Sequence, residues 1–295
     1  MSQPTNILVS GASGALGSLV VAELASSGWP VVAGTRSPER IASRFPTSVE
    51  VRRVDFDDPQ GLRAALRDIQ HLLIVSTDEL SIPGKRQAQH RAALDAAVAA
   101  GVSFVVYTSM PEPDRSPLIP FSKDHAEMER ALQTRGIHYA TLRNSWYQEN
   151  LLGFLPRILA DGHWFTAAGE GRLPYVARAD AARAAAAALH GRESGVLDIA
   201  GPDLLSVDAI AKAVHDTLGL ALQVHHVEPD RVAAELAHQG VPAPLIPMIA
   251  VTEAHQRAGG FEIAGNDVRR LTGRAPQPLA DFLRTSADRL LSRTR

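Results

Sequence analysis

Three glycines at three-residue spacing, Gly11, Gly14 and Gly17, stand in the segment ILVSGASGALGSLVV. An apolar strand-like run precedes them and a helical pattern follows, and that context says more than the glycines alone. A tight turn, close backbone approach to a pyrophosphate and close helix-to-strand packing each require a missing side chain. The helix start then offers free N–H groups to phosphates. The loop of Gly11, Ala12, Ser13, Gly14, Ala15, Leu16 and Gly17 is therefore the candidate pyrophosphate cradle, against the bland alternative of a glycine turn with no ligand. At the end of the next strand-like run, AGTRSPER sets Arg36 about twenty residues beyond the glycines, with no carboxylate before Glu39. An acid there would hold a ribose 2′-hydroxyl, whereas a planar cation suits a 2′-phosphate. The expected cofactor is NADPH rather than NADH, unless Arg36 merely points to water. Asp55 and Phe56, in VDFDD, fall where adenine would lie, although Asp55 also fits a helix N-cap region ahead of Pro59. Ser76 and Thr77 close the run LLIVST, at the carboxyl end of a strand where ligands collect in such sheets; polar strand ends also occur without one.

Other chemistries find little support. The absence of Cys removes disulfides, thiolate nucleophiles and thiolate metal sites together, so redox work falls to a cofactor. Of the eleven histidines, His225 and His226 are neighbours on a strand-like run and point to opposite faces, while His190 and His215 sit alone on helices. No HExxH motif occurs, and no metal site is expected. No G-x-S-x-G elbow suggests a hydrolase.

The elements that must position these residues are legible as a rhythm. From residue 6 to about 143, short apolar runs (NILVS, PVVAGT, VEVRRV, HLLIVS, FVVYTS, HYATLR) alternate with helical patterns such as LGSLVVAELASSG and HRAALDAAVAAG, which end at Gly28 and Gly101. That is the pattern of parallel strands joined by crossover helices, and the expected fold is α/β, a Rossmann-type doubly wound parallel sheet. After Asn144 the rhythm breaks. WYQENLLGFLPRILADGHWF reads as a helical turn and a short helix, ADAARAAAAALHG as a helix capped by Asp180, and VLDIAG as a strand rejoining the sheet. The rest is mostly helical, with one strand candidate at LQVHHV. Residues 1–150, rejoined by about 177–200, are thus expected to form the nucleotide domain, and 151–176 with 201–295 a smaller, mostly helical C-terminal lobe for substrate.

The bulk composition agrees. The chain has 295 residues, enough for a sizeable core in one domain with a lobe, and a formal charge of only -2 with no long block of one sign. Nucleic acid and membrane surfaces are not expected partners. No cationic flank precedes an apolar stretch at the amino terminus, and no window is long and apolar enough to span a bilayer, so a soluble, cytoplasmic protein is expected.

GASGALG, the strand end VVYTSM, and above all LRNSWYQEN, in that order, resemble the NmrA-like group of atypical short-chain dehydrogenases/reductases. Within it, the chain is similar to the NADPH-dependent type 2 quinone oxidoreductases and triphenylmethane dye reductases. The likeness continues through GEGRLPYVARADAARAAAAAL and LDIAGPDLLSVDAIA. It implies a nucleotide domain, a smaller lobe and an active cleft between them. In typical short-chain reductases a Tyr, with a Lys four residues later, begins the helix after strand five. Laid on PFSKDHAEMER, that pattern puts Phe121 in the tyrosine place and His125 in the lysine place, so the usual acid is missing. An electron-poor quinone or dye needs only to be held against the nicotinamide, with the proton coming from water or from His125 at an ordinary, near-neutral pKa. Alternatively the loss of the acid marks a catalytically silent NADP(H)-sensing regulator with a protein partner. Asn144, Trp146 and Tyr147 favour the enzyme, because they could roof the nicotinamide with aromatic surface suited to a flat acceptor; Trp146 and Tyr147 are otherwise core residues. Ser109, closing YTS, could orient a carbonyl. Gln89 and His90 could reach the cleft in this family, although a solvated helix face is the better reading, and Glu127 and Glu129 read as surface charges. The expected ligand besides NADPH is a small aromatic or quinone acceptor, and a homodimer is left open.

Overall fold

The computed structural model describes residues 5–263 and 265–292. Strands β1 (Ile7–Val9), β2 (Val31–Thr35), β3 (Glu50–Arg53), β4 (His71–Ile74), β5 (Phe104–Ser109), β6 (His138–Asn144) and β8 (Gly195–Ile199) form one parallel sheet in the order β3-β2-β1-β4-β5-β6-β8. Every residue of β1, β2, β4 and β5 is buried. Continuous apolar runs of this kind are what a parallel sheet covered on both faces demands. Ile7 stands beside Val31 on one side and His71 on the other, so the chain order reverses at the gap between β1 and β4. In a doubly wound sheet the crevice at that switch point, at the carboxyl ends of the strands, is where ligands bind.

Helices α1 (Ala15–Ser26) and α6 (Arg178–Gly191) cover one face through Leu16, Val20, Leu24 and a row of buried alanines. The other face is covered by α2 (Pro59–Ala65), α3 (Lys85–Ala99) and α4 (Ser122–Thr134), through residues such as Leu62, Leu94 and Leu132. Asp180 does not cap α6 as expected. The helix begins at Arg178 behind Ala177, and the Asp180 carboxylate lies buried inside its first turn, accepting from the Gln277 N–H at 2.6 Å and from Arg183. A cap position was read from an acid that ties the C-terminal segment to the sheet instead.

A third core, around Trp164, Tyr175, Phe261 and Phe282, belongs to the lobe. Its elements are α5 (Leu155–Asp161), α7 (Val207–Leu218), α8 (Pro229–His238), α9 (Ile246–Arg257), α11 (Leu279–Thr285) and α12 (Ala287–Leu291), with a two-stranded parallel sheet of β7 (His163–Thr166) and β9 (Gln223–His226). β7 was hidden at the tail of a segment read as helical: α5 stops at Gly162, whose φ of 78° turns the chain, and HWFT then pairs with a partner sixty residues on. One piece of the C-terminal segment returns to the sheet, because α10 (Asp267–Thr272) packs on α6 and β8 and buries Val268 in the α1/α6 core.

Candidate active site

The glycine loop leaves β1 at the switch point. Gly11 has φ +63°, and a Cβ there would lie 3.3 Å from Val75. A Cβ on Gly17 would stand 2.3 Å from the Gly11 carbonyl oxygen, so the third glycine allows close contact of the helix with the loop, where packing of the helix on the strand was expected. α1 begins behind Gly14 with no side-chain cap, so its first N–H groups have no side-chain acceptor. In front of them lies a groove of about 320 Å³ lined by Ser10, Gly11, Ser13, Gly14, Arg36, Asp55, Phe56, Ser76 and Thr77, among others. Arg36 is exposed on its edge and makes no ion pair among the described residues. Asp55 holds the Asp57 N–H at 3.1 Å and pairs with Arg53. The capping role left open for it belongs to Asp58, which accepts from the Gly61 N–H at 3.0 Å. Ala12, Ala15 and Leu16 belong to the same turn without lining the groove; Ala12 and Leu16 are buried beneath it.

The fit to a dinucleotide is tested by what the groove leaves unpaired. Arg36 offers a free guanidinium, and Gln89 Oε1 is buried with no hydrogen-bond partner among the described residues. Gln89 donates from Nε2 to Asp57 and lines the groove. It does not lie on the solvated face expected of it.

Ser76, Thr77 and Asp78 also line a second space of about 460 Å³, so the two form one cleft. Its walls include Arg86, Ser109, Phe121, His125, Asn144, Trp146 and Tyr147. Phe121 and Trp146 stack with ring centroids 6.5 Å apart, and Trp146 leans on Phe261 at 4.5 Å. All four residues singled out for catalysis reach this space, in different states. Asn144 Nδ2 donates to Tyr147 Oη at 3.0 Å, and Asn144 Oδ1 is buried and unpaired among the described residues. Burial pushes the Tyr147 phenol up to about 12, against the smaller opposing pull of Asn144, and the Arg178 guanidinium lies 4.8 Å over its ring. Tyr147 therefore keeps its proton at neutral pH, and its oxygen already accepts one bond. Ser109 is less free. Its hydroxyl donates to Glu129 at 2.7 Å, and Glu129, which is buried rather than a surface charge, is held by Arg143 at 2.8 Å.

His125 differs most from expectation. Only 4% of it is exposed, and burial first, then the charge of Arg86, holds its pKa well below the usual imidazole value, so the near-neutral acid is not present. Arg86 Nη2 donates to His125 Nε2 at 2.8 Å, which places the ring proton on Nδ1, 2.8 Å from Tyr107 Oη. On the far side of that oxygen lies His90 Nδ1, at 3.2 Å. The Thr77 N–H donates to His90 Nε2 at 3.0 Å, so His90 too carries its proton on the tyrosine side. His90 is 1% exposed, and burial lowers its pKa to about 3. Arg86 completes the cluster by donating to the carbonyls of Thr77, at 2.6 Å, and Phe121, at 3.3 Å. Neither Arg86 nor Tyr107 was singled out from the sequence, yet Arg86, Gln89, His90, Ala93, Leu94 and Ala97 recur at helical spacing on the buried side of α3. That period was the available signal.

A glycine cradle, an uncommitted arginine and an aromatic pocket across the strand ends define a Rossmann-type reductase site. The chain matches the NmrA-like family over residues 3–282, and it belongs to that family. It is 33% identical over 279 residues to quinone oxidoreductase 2 of Escherichia coli, covering 93% of this chain and 96% of that one. The crystal structure of that E. coli enzyme complexed with NADPH superposes with a TM-score of 0.86 at 32% identity, covering 94% of this chain and 98% of the other. Triphenylmethane reductase of Citrobacter sp., complexed with NADP(H), superposes with a TM-score of 0.84 at 26% identity, over 95% and 99% of the two chains. The chain is accordingly an enzyme of the oxidoreductase class with a parallel, Rossmann-type sheet. Among the described residues no helix is long and apolar enough to cross a membrane.

Proposed function

We propose that the protein is an NADPH-dependent reductase that passes hydride to a small conjugated acceptor, a quinone. The observation that carries this reading is the continuity of the cleft: the nucleotide groove and the aromatic pocket share Ser76, Thr77 and Asp78, so a ring in one would face a ring in the other. NADPH, when bound, supplies two electrons and one hydrogen as hydride. The loop from Gly11 to Gly17 and the start of α1 would hold its pyrophosphate, Arg36 the 2′-phosphate, and Asp55, Phe56 and Gln89 the adenosine end. Its relatives among quinone and dye reductases complexed with NADPH or NADP(H) support NADPH as the cofactor.

For the acceptor, Phe121 and Trp146 provide flat walls, and the Asn144–Tyr147 pair provides a hydroxyl donor whose oxygen is already anchored. A quinone taking hydride develops negative charge on an oxygen, and then needs one proton to become a quinol. Tyr147 donates to that oxygen, water restores the proton, and Arg86, whose charge is shared with Asp124 at 3.5 Å, adds positive potential beside the oxyanion. His125 acts through Arg86, as a positioning residue. Ser109 offers only acceptor capacity, because its proton is held by Glu129. In this reading residues 1–150 with 177–200 hold the nucleotide, and 151–176 with 201–295 close over the acceptor, α10 excepted. A silent NADP(H) sensor would need the groove but not the aromatic pocket.

The test is oxidation of NADPH and of NADH by the purified protein, followed by absorbance with 1,4-benzoquinone and 2-methyl-1,4-naphthoquinone. Turnover at least tenfold more efficient with NADPH is expected. Tight NADPH binding without turnover of any quinone would overturn the enzyme reading.

A further inference from the structure

Beyond the aromatic pocket, inside the lobe, lies a second cavity of about 480 Å³. It adjoins the acceptor pocket, since Trp146, Asn150, Met248 and Thr252 line both. Its inner wall is built by Phe154, Trp164, Ile249 and Val241, with Leu236 from α8 below.

Most polar residues on that wall are already engaged with the scaffold, whereas the Tyr175 hydroxyl and the Asn150 amide have no side-chain hydrogen bond among the described residues. Glu253 accepts from Thr166 Oγ1 at 3.1 Å and from the Ala167 N–H at 2.8 Å. Gln256 donates to the Gly171 carbonyl, Thr252 to the Met248 carbonyl, Gln239 to the His163 carbonyl, and Arg157 to the Gly240 carbonyl. What faces the space is mainly hydrocarbon and aromatic surface, with the Tyr175 hydroxyl and the Asn150 amide as its free polar groups. A polar ligand would find few free partners, whereas an apolar one removes that surface from water. The volume lies in the range that holds a substantial ligand portion, separate from what the acceptor pocket itself takes.

We propose that this cavity receives an apolar arm of the acceptor, so that the enzyme selects conjugated acceptors carrying a hydrocarbon or aryl substituent. The ring that is reduced stays between Phe121, Trp146 and Tyr147, and the substituent passes Trp146 and Met248 into the lobe. This rests on the reductase reading above and names the substrate class of the same site.

A series of 2-alkyl-1,4-naphthoquinones, from methyl to octyl, tests it. Dissociation constants come from quenching of tryptophan fluorescence, because Trp146 and Trp164 border the cavity, and KM comes from NADPH oxidation. Each added methylene should tighten binding by about fourfold until the cavity is full. Ile249→Trp and Val241→Phe, which reduce the space from two elements, should flatten that dependence, with thermal melting as the check on folding. Dissociation constants that do not change with chain length in the wild-type protein would overturn the proposal, as would an undiminished dependence in either folded variant. Turnover of benzoquinone by the wild-type protein judges the reductase reading separately: if it fails while binding still follows chain length, the cavity stands and the chemistry does not.

Discussion

In the proposed reaction Tyr147 supplies a hydrogen bond to the acceptor oxygen; its own oxygen is anchored by Asn144 and its phenol is raised to about 12 by burial. Such a group stays protonated throughout the neutral range and works as a hydrogen-bond donor that strengthens as charge develops, not as an acid titrating near pH 7. Tyr147→Phe should therefore lower kcat by about tenfold to a hundredfold, less for the strongly oxidising benzoquinone than for poorer acceptors. The KM for NADPH and the melting temperature should change little. Rates unaltered across an acceptor series would remove Tyr147 from the reaction. Residues of this kind were legible in the sequence where a single type is compulsory. Gly17 could be named because any side chain there meets backbone, and Arg36 because it replaces an acid. Arg86 was not named, because a cation in KRQAQH looks like any solvated helix start. What buries it is a constellation of Thr77, Phe121 and His125, brought together from separate elements.

The strand, loop and helix at the head of the sheet work as one rigid part. A Cβ at Gly17 would meet the Gly11 oxygen at 2.3 Å and the Gly11 carbonyl carbon at 2.7 Å, both backbone atoms that cannot swing aside, whereas a Cβ at Gly14 meets only the same oxygen at 3.2 Å. Gly17→Ala should cost about 2 kcal/mol in urea unfolding, the scale of overpacking a tight contact, and weaken NADPH binding at least tenfold in calorimetry. Gly14→Ala should cost distinctly less stability. Identical unfolding of the Gly17 variant and the wild type would show that α1 can back away from the loop. The same logic explains which elements were readable. β1, β4 and β5 are buried on both faces and announce themselves as unbroken apolar runs. β7 has four residues, and its existence depends on β9, far along the chain, so nothing local distinguishes HWFT from the end of a helix. Asp180 misled for a related reason: an acid just inside an alanine-rich helix looks like a cap until the Gln277 N–H arrives from the C-terminal segment.

Across the whole molecule, the sheet side is tied to the C-terminal segment by Gln148, whose Nε2 donates to the Gln277 carbonyl at 2.9 Å, and by the Asp180 bond to the same residue. The buried imidazole cluster beside the aromatic pocket gives the fold a pH dependence of definite sign. His90 is lowered from 6.5 to about 3 in the folded protein, and His125 is lowered well below 6.5, in both cases chiefly by burial. Above pH 6.5 both are neutral folded or unfolded, and they contribute no slope. Below it the unfolded chain takes up protons that the folded protein refuses, so stability is lost as pH falls, and for His90 the loss continues to about pH 3. Each such histidine contributes up to about 1.4 kcal/mol per pH unit within its window. His71 and His255, also lowered chiefly by burial, act in the same direction, while Glu253, raised by burial, opposes them as pH rises above the carboxylate range. A comparison of slopes cancels these shared groups. Urea unfolding of the wild type and of His90→Gln, measured between pH 7.5 and 5, should show a shallower loss in the variant by about 1 kcal/mol per unit below pH 6.5, whatever the substitution does to stability at pH 7.5. Parallel slopes would mean that His90 gains access to water or a proton-sharing partner on acidification, and would overturn the buried arrangement of His90, Tyr107, His125 and Arg86.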